Sequence, residues 1–170
     1  MKNIFDNAKV CGNAQVSGDA EVFGNAQVSG DAVVSGDAVV SGNAQVSGNA
    51  EVFGDALVSG DALVYGDALV SGNAQIFGNA DIQSNNDWFS FIYQGKTLTG
   101  YRSRNDLGYE VNLDGIAVEL KDVPTVLQGL ILALIRDFTP FKKPKSDVDL
   151  RIENLERELA ELKQLQGETR

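Results

Sequence analysis

The sequence predicts a mainly β protein in which a parallel β-helix of stacked coils is followed by a small cap and a C-terminal coiled-coil helix. Three observations support this prediction. In the predicted β-helix domain at 1–82, residues 4–82 repeat the unit V-x-G-[N/D]-A-x without an insertion. Residues 83–122 contain short runs rich in aromatic and β-branched residues, and residues 147–166 carry a heptad pattern. With 170 residues and 43% hydrophobic content, the chain can bury a sizeable core.

The six-residue unit explains why the repeat should form coils. Side chains alternate between the two sides of a strand, so alanine and valine in A-x-V-x face the same side. Glycine followed by Asn or Asp then turns the chain, because these residues tolerate restricted backbone conformations. Three strands and three corners make an 18-residue triangular coil. Stacked coils bury the valine and alanine columns and pair equivalent strands about 4.8 Å apart.

The unit V-x-G-[N/D]-A-x, with an aliphatic first and a small fifth residue, resembles the hexapeptide repeat of left-handed parallel β-helix proteins. This resemblance implies that the coils are left-handed. Hexapeptide acyltransferases use a histidine as general base, and γ-type carbonic anhydrases hold zinc with three histidines. This chain contains no histidine, so the usual base and the usual zinc ligands are missing. We therefore expect a non-enzymatic protein without a cofactor or metal.

The segment 83–122 is predicted to form a β-meander cap, with strands at 88–93, 97–102, 109–113 and 116–120. T-L-T-G-Y-R at 97–102 and G-Y-E-V at 108–111 resemble the T-L-T-x-Y-R…G-x-x-V segment that follows hexapeptide repeats in phage, prophage and enterobacterial proteins labelled as acyltransferases. The resemblance implies a phage-associated origin and names no activity. Asp114, Gly115 and Ile116 stand where those relatives continue with a Gly-Cys-Phe-like strand, so the cysteine is absent.

An apolar helix is predicted at 123–138, with Asp122 placed to cap it and Pro124 in its first turn. It is too short for a bilayer, which needs about 20 residues, so we expect it to pack against the meander or neighbouring subunits. Its predicted apolar stripe comprises Leu127, Leu130, Ile131, Leu134, Ile135 and Phe138, and Val126 and Leu132 widen it.

A basic, proline-containing linker at 139–146 precedes the heptad segment at 147–166. The heptad core positions are Val148, Ile152, Leu155, Leu159 and Leu162. Opposite charges at the flanking positions favour a parallel homo-oligomer, for which we expect a trimer. The alternative is a single helix folded back on the rod.

Charge and cysteine content restrict the partners and the compartment. The chain has a net charge of −10. The rod contributes −9, because its ten acidic residues are offset by a single basic residue, Lys9. Such a surface repels nucleic acid and anionic membranes. The repeat begins too early for a signal peptide, so a cytoplasmic protein is expected, in the host cytosol if phage-encoded. Cys11 is the single cysteine, which excludes a disulfide framework.

Two sets of residues in the rod are candidates for subunit contacts and for a cation site. Large apolar residues occupy outward positions and predict subunit contacts, although scattered exposed apolar residues are the alternative; the principal ones are Leu57, Leu63 and Leu69. One corner column stacks Asp19, Asp37 and Asp55, for which solvated turn residues are the expected explanation and a cation site the alternative.

The cap supplies the candidate ligand-binding residues, which combine cationic and aromatic side chains. They are Lys96, Arg102, Arg104, Trp88, Tyr101 and Tyr109. The first functional hypothesis is a trimeric phage-type binding protein that sequesters an anionic, nucleotide-like small molecule in the cap or in grooves between subunits. Pairing of Arg102 and Arg104 with Asp106 and Glu110 is the alternative explanation for the cations. The second hypothesis is a structural or assembly element of a phage particle, and the third is an acidic DNA mimic.

Overall fold

The structure is a computed structural model that describes residues 3–105 and 107–136. The predicted linker at 139–146 and the predicted coiled coil at 147–166 lie outside the described residues. The described part is mainly β: a parallel β-solenoid of about four turns, then a four-stranded antiparallel sheet and one α-helix. The prediction of a repeat β-helix is therefore confirmed.

Each repeat of the rod contributes one two-residue strand, and strands 18 residues apart pair in parallel, as Val28 does with Val46. The strands are β1 (Lys9–Val10), β2 (Gln15–Val16), β3 (Glu21–Val22), β4 (Gln27–Val28), β5 (Val33–Val34), β6 (Val39–Val40), β7 (Gln45–Val46), β8 (Glu51–Val52), β9 (Leu57–Val58), β10 (Leu63–Val64), β11 (Leu69–Val70), β12 (Gln75–Ile76) and β13 (Asp81–Ile82). They form three parallel sheets, with orders β1-β4-β7-β10-β13, β2-β5-β8-β11 and β3-β6-β9-β12. The three sheets surround one core.

The core of the rod consists of the valine and alanine columns that the repeat predicts. From Ala20 to Ile82, every residue of these two columns is at most 1% exposed. The strands are nevertheless shorter than the four residues expected from A-x-V-x. Alanine also takes part in the corner turn, as where the Ala32 N–H donates to the Ser29 carbonyl at 3.4 Å. Backbone hydrogen bonds between coils nevertheless continue at the corners, where the Asn13 N–H donates to the Gly30 carbonyl at 2.8 Å.

The corner glycines are required both by backbone conformation and by the closeness of the next coil. Gly30 has a φ of +71°, in the left-handed region that favours glycine. A Cβ at this position would lie 3.0 Å from both the amide nitrogen and the carbonyl oxygen of Gly48 in the coil above. Stacked corners thus leave no room for a side chain.

Beyond the rod, a single-turn 3-10 helix (Asn85–Asp87) leads into four antiparallel strands. They are β14 (Trp88–Tyr93), β15 (Lys96–Arg102), β16 (Tyr109–Leu113) and β17 (Ile116–Ala117). One face, which includes Tyr101, packs on the end of the rod, and the opposite face, which includes Leu98 and Val111, packs on α1 (Thr125–Ile135). Gly100 has no side chain because a Cβ there would lie 2.2 Å from the Phe89 ring.

The helix begins later than its sequence suggests. Pro124 is its N-cap residue, and Asp122 lies in a separate 3-10 turn (Leu120–Asp122), so the prediction that Asp122 caps the helix was wrong. The extended ψ of Pro124, 134°, keeps the preceding residues out of the helix. Leu127 and Ile131 face the sheet and are buried. In the ranges that the structure describes, no helix has the length and hydropathy needed to cross a membrane.

Candidate functional site

The junction between the rod and the cap is where most polar side chains of the cap meet. A solenoid ends in strand edges whose backbone groups have no further coil to pair with, and burying such groups unpaired is costly. In this protein, the last strand of each sheet, β11, β12 and β13, is bonded by cap side chains instead. The junction therefore replaces a missing coil.

At two of these edges, cap side chains form hydrogen bonds with both the backbone N–H and the backbone carbonyl of one rod residue. The Leu69 N–H donates to Asn85 Oδ1 at 2.8 Å, and Trp88 Nε1 donates to the Leu69 carbonyl at 3.0 Å. On the neighbouring edge, the Gln75 N–H donates to Thr99 Oγ1 at 3.2 Å. Asn112 Nδ2 donates to the Gln75 carbonyl at 2.7 Å. These paired contacts fix the cap against two faces of the rod.

The third edge is held by Arg102, which is only 8% exposed. Its Nε donates to the Asp81 carbonyl at 2.8 Å, and its Nη2 donates to Asp81 Oδ1 at 2.9 Å. The Asp87 carboxylate lies 3.5 Å from Nε. Both carboxylates are about as buried as the guanidinium, at 5% exposure. A buried cation paired with two buried anions stabilises a fold only where hydrogen bonds satisfy all three, as they do here.

Further donors complete this cluster. Asp87 Oδ2 accepts from the backbone N–H groups of Gln83 and Ser84, at 2.9 and 2.8 Å. The Tyr65 hydroxyl donates to Asp81 Oδ1 at 2.9 Å. Burial, followed by the hydrogen bond and the negative charge of Asp81, raises the pKa of Tyr65. The hydroxyl therefore stays protonated and remains a donor.

A second, partly buried group of polar side chains centres on Glu110. Its carboxylate accepts from Ser103 Oγ at 2.7 Å and from the Tyr101 hydroxyl at 3.2 Å. Burial is the main cause that raises the pKa of Tyr101 well above its usual value, and the charge of Glu110 adds to it. Among the residues that the structure describes, every buried side-chain nitrogen or oxygen has a hydrogen-bond partner. The junction is thus a closed polar network.

The six candidate ligand-binding residues do not converge on one surface. Trp88, Tyr101 and Arg102 belong to the junction, where Tyr101 is 1% exposed. Tyr109 packs with the helix side of the sheet, and Arg104 lies on the flank of the rod. Its guanidinium donates to the backbone carbonyls of Asn79 and Asp61 rather than to Glu110. Lys96 is exposed near the tip of the β14–β15 hairpin.

Lys96 does lie beside a cavity that the sequence did not indicate. The space between the sheet and α1 has a volume of about 180 Å³. Its wall is mainly aliphatic. Four side chains with polar groups also line it: Tyr93, Gln94, Lys96 and Asp122. Its members come from β14, β15, β16, the Leu120–Asp122 turn and α1, so no local pattern marks it.

The predicted interface residues of the rod lie on different faces. Leu57 is in the β3-β6-β9-β12 sheet, Leu63 in the sheet that begins with β1, and Leu69 in the remaining one. All three are half-buried in the single chain. They therefore do not form one continuous patch. The predicted heptad residues Val148, Ile152, Leu155, Leu159 and Leu162 lie outside the described residues.

The corner columns of the rod differ in the side-chain hydrogen bonds that they form between coils. In one column, Asn25 Nδ2 donates to Asn43 Oδ1 at 3.1 Å, and Asn43 Nδ2 donates to Asp61 Oδ1 at 3.0 Å. In the column of Asp19, Asp37, Asp55 and Asn73, the three acidic residues have no amide N–H to donate to the next coil. Across residues 3–105 and 107–136, no three His, Cys, Asp or Glu side chains are placed to hold a metal ion.

Comparison with known families supports the assignment of the repeat. A family model described as the YdcK beta solenoid repeat matches residues 26–42 and 44–60. The repeat region is a β-solenoid. The match covers the middle coils, where the valine and alanine columns are fully buried. Neither the curated proteins nor the solved structures contain a significant match to the chain.

The sequence analysis did not identify three residues that hold the junction together, because no sequence pattern connects them: Asp81, Asp87 and Asn112. One local signal was present, however. Ser84 and Asp87 form a capping box around the Asn85–Asp87 turn, and serine followed three residues later by an acid is a recognisable start of such a turn. That pattern marks the end of the repeat and places Asp87 at the junction.

Proposed function

We propose that this chain is a non-enzymatic, homo-oligomeric structural protein, a short rod that carries a small cap at a set distance. The observation that supports this proposal is the use of the cap's polar side chains. Four of these side chains form hydrogen bonds with backbone groups at the end of the rod and so hold the cap in place: Arg102, Asn112, Thr99 and Trp88. A catalytic or ligand-binding role would require such groups to face an open cleft.

The finer architecture is part of the proposal. The hexapeptide resemblance supports left-handed, triangular coils, and the three parallel sheets agree with three strands per coil. We propose that residues 147–166 form a parallel coiled coil of three chains, supported by the heptad spacing and the opposite charges that flank it. Such a coiled coil fixes three rods side by side in register.

The resemblance of residues 97–102 and 108–111 to segments of phage and prophage proteins supports a role in a phage particle or its assembly. We propose that the protein is made in the cytosol of the host and acts there as a fibre, spike or assembly element. The acidic rod favours contacts with other proteins over nucleic acid or anionic membranes.

The decisive test is the mass of the intact chain in solution. Sedimentation velocity should give three times the chain mass of 18.2 kDa. Leu155→Lys, which places a charge in the heptad core, should reduce that mass, whereas Arg157→Gln, outside both the core and the charged flanking positions, should leave it unchanged. A monomeric wild-type protein at micromolar concentration refutes the proposal. Detection of the chain in purified particles would then distinguish a particle component from an assembly factor.

A second candidate function is supported by the cavity beside Lys96. Lys96 and Tyr93 offer one cation and one aromatic ring at the edge of an apolar space, which suits an anionic molecule with a planar or apolar part. Calorimetric titration with a panel of nucleotides tests it. Lys96→Ala should abolish binding and Lys121→Ala, another exposed lysine of the cap, should not. The absence of heat with every nucleotide contradicts this function.

A further inference from the structure

The helix α1 has two apolar faces, and only one of them is covered by the described part of the chain. Leu127 and Ile131 pack on the sheet and are at most 8% exposed. On the opposite side, Val126 is 76% exposed and Leu130 is 48% exposed. Surface helices normally present polar residues on the side away from the core. This helix breaks that rule.

The exposed face has the spacing of a helix-packing surface. Val126, Gly129, Leu130 and Ala133 follow the i, i+3, i+4, i+7 pattern that aligns residues on one side of a helix. We call these four residues the outer stripe. The helix contains no charged residue, so its flanks also lack the groups that would keep this stripe in water. Contiguous apolar surface of this kind marks an interaction site.

The small residues in the outer stripe indicate what kind of partner fits. Gly129 and Ala133 are four residues apart and both exposed. A Cβ built on Gly129 would meet nothing within 4 Å, so the space above it is open. Small residues at this spacing let two helix backbones approach closely, and large neighbours such as Leu130 can then fill the groove of the facing helix. The stripe is therefore complementary to a second stripe of the same composition.

We propose that the outer stripe of α1 packs against the outer stripe of α1 in another copy of this chain. The rods repel one another through their net charge of −9 each, so a contact between copies is better placed on the uncharged α1 than along the rods. The stripe also lacks the basic residues that hold amphipathic helices on anionic membranes.

The chain beyond α1 supports the same partner. This step rests on the proposed function, in which residues 147–166 of several copies associate. Eleven residues, 136–146, separate the end of α1 from that segment. Such a linker spans at most roughly 35–40 Å. Association of the heptad segments therefore keeps the α1 helices of the copies near one another and raises their effective concentration.

A charge placed in the outer stripe tests the contact. Leu130→Lys puts an ammonium group into the proposed interface and should raise the dissociation constant of the oligomer at least about tenfold, since a desolvated unpaired charge is strongly unfavourable. Thr125→Lys, which adds the same charge to the same helix outside the stripe, should change it far less. Far-ultraviolet circular dichroism and the melting temperature of each variant establish that both remain folded. Equal effects of the two substitutions overturn the inference.

Crosslinking supplies a second readout. Ala133→Cys in a Cys11→Ser background leaves one thiol in the chain, and a short bismaleimide should join two chains through it. Lys163→Cys in the same background reports association of the heptad segments independently. Crosslinking at both sites supports the proposal. Crosslinking at 163 alone overturns the helix contact and leaves the proposed oligomer intact, whereas a monomer without crosslinks at either site refutes both.

Two other occupants would be recognised by their own results. If residues 147–166 of the same chain cover the stripe, Leu130→Lys should destabilise a monomer without changing its mass. If a membrane covers it, the wild-type protein should float with phosphatidylcholine vesicles and Leu130→Lys should not. Either result overturns the contact between copies.

Discussion

Replacing Arg102 with methionine should detach the cap from the rod. Methionine keeps the apolar stem of the side chain and removes the guanidinium. Asp81 and Asp87 would then remain buried, at 5% exposure each, without the cation that faces both. Arg104→Met serves as the control, because its guanidinium donates to the backbone carbonyls of Asn79 and Asp61 at the exposed flank of the rod.

The expected cost follows from the contacts that are lost. Arg102 donates to the Asp81 carbonyl at 2.8 Å and to Asp81 Oδ1 at 2.9 Å, and breaking a buried ion pair by removing one partner costs about 3–5 kcal/mol. The remaining donors lower this figure, since Tyr65 still bonds Asp81, and backbone N–H groups still bond Asp87. We therefore expect a loss of about 3 kcal/mol for Arg102→Met and below about 1 kcal/mol for Arg104→Met.

Trp88 is a natural reporter for this experiment. It is the single tryptophan, and its indole nitrogen donates to the Leu69 carbonyl across the junction. Its fluorescence during urea unfolding follows the separation of cap and rod, while circular dichroism follows the rod itself. Arg102→Met should lower the midpoint seen by fluorescence more than the midpoint seen by circular dichroism. Equal stability of Arg102→Met and Arg104→Met would refute the structural role assigned to Arg102.

Three further predictions concern the rod and the junction. Asp37→Asn should stabilise the rod by about 0.5–1 kcal/mol, because its amide can donate to Asp55 as other corner asparagines do; an unchanged urea midpoint contradicts this. Gly30→Ala should destabilise more than Gly72→Ala, since both glycines have positive φ but only Gly30 faces a coil within contact distance; equal melting temperatures contradict that reasoning. Stability should fall above pH 10, because burial raises the folded-state pKa of Tyr101 above the unfolded value of 10.0 and the unfolded state loses the proton first. Alkaline unfolding monitored at 295 nm should therefore shift to higher pH in Tyr101→Phe.

The rod could be predicted in detail because its physical requirements recur every six residues. One repeat places valine and alanine inward, and the same solution applies to all coils, so a single local argument identifies the whole buried core from Ala20 to Ile82. The corners followed for the same reason, since glycine at a positive φ and a close neighbouring coil leave few alternatives. Repetition turns a problem of long-range contacts into a local one.

The cap could be predicted only in part, because its decisive contacts occur once and join distant positions. Arg102 looked like a ligand-binding cation, yet its partner Asp81 is 21 residues away and occupies an outward repeat position that is elsewhere filled by Lys, Gln, Glu, Val or Leu. The composition of 97–102 carries no information about which side faces the rod. The outer stripe could not be predicted either, because the sequence of a helix that is apolar on all sides does not indicate which face the sheet will cover.

Because the rod has three sheets, insertions of different length can change the length of the rod and the orientation of the cap separately. Inserting 18 residues of repeat adds one coil, lengthens the rod by about 4.8 Å and returns the cap to the same sheets. Inserting six residues instead moves every bond of the junction to the next sheet and turns the cap around the rod. Duplication of whole coils is therefore a change that the capped end can tolerate, whereas any other insertion alters the direction in which the cap and α1 point.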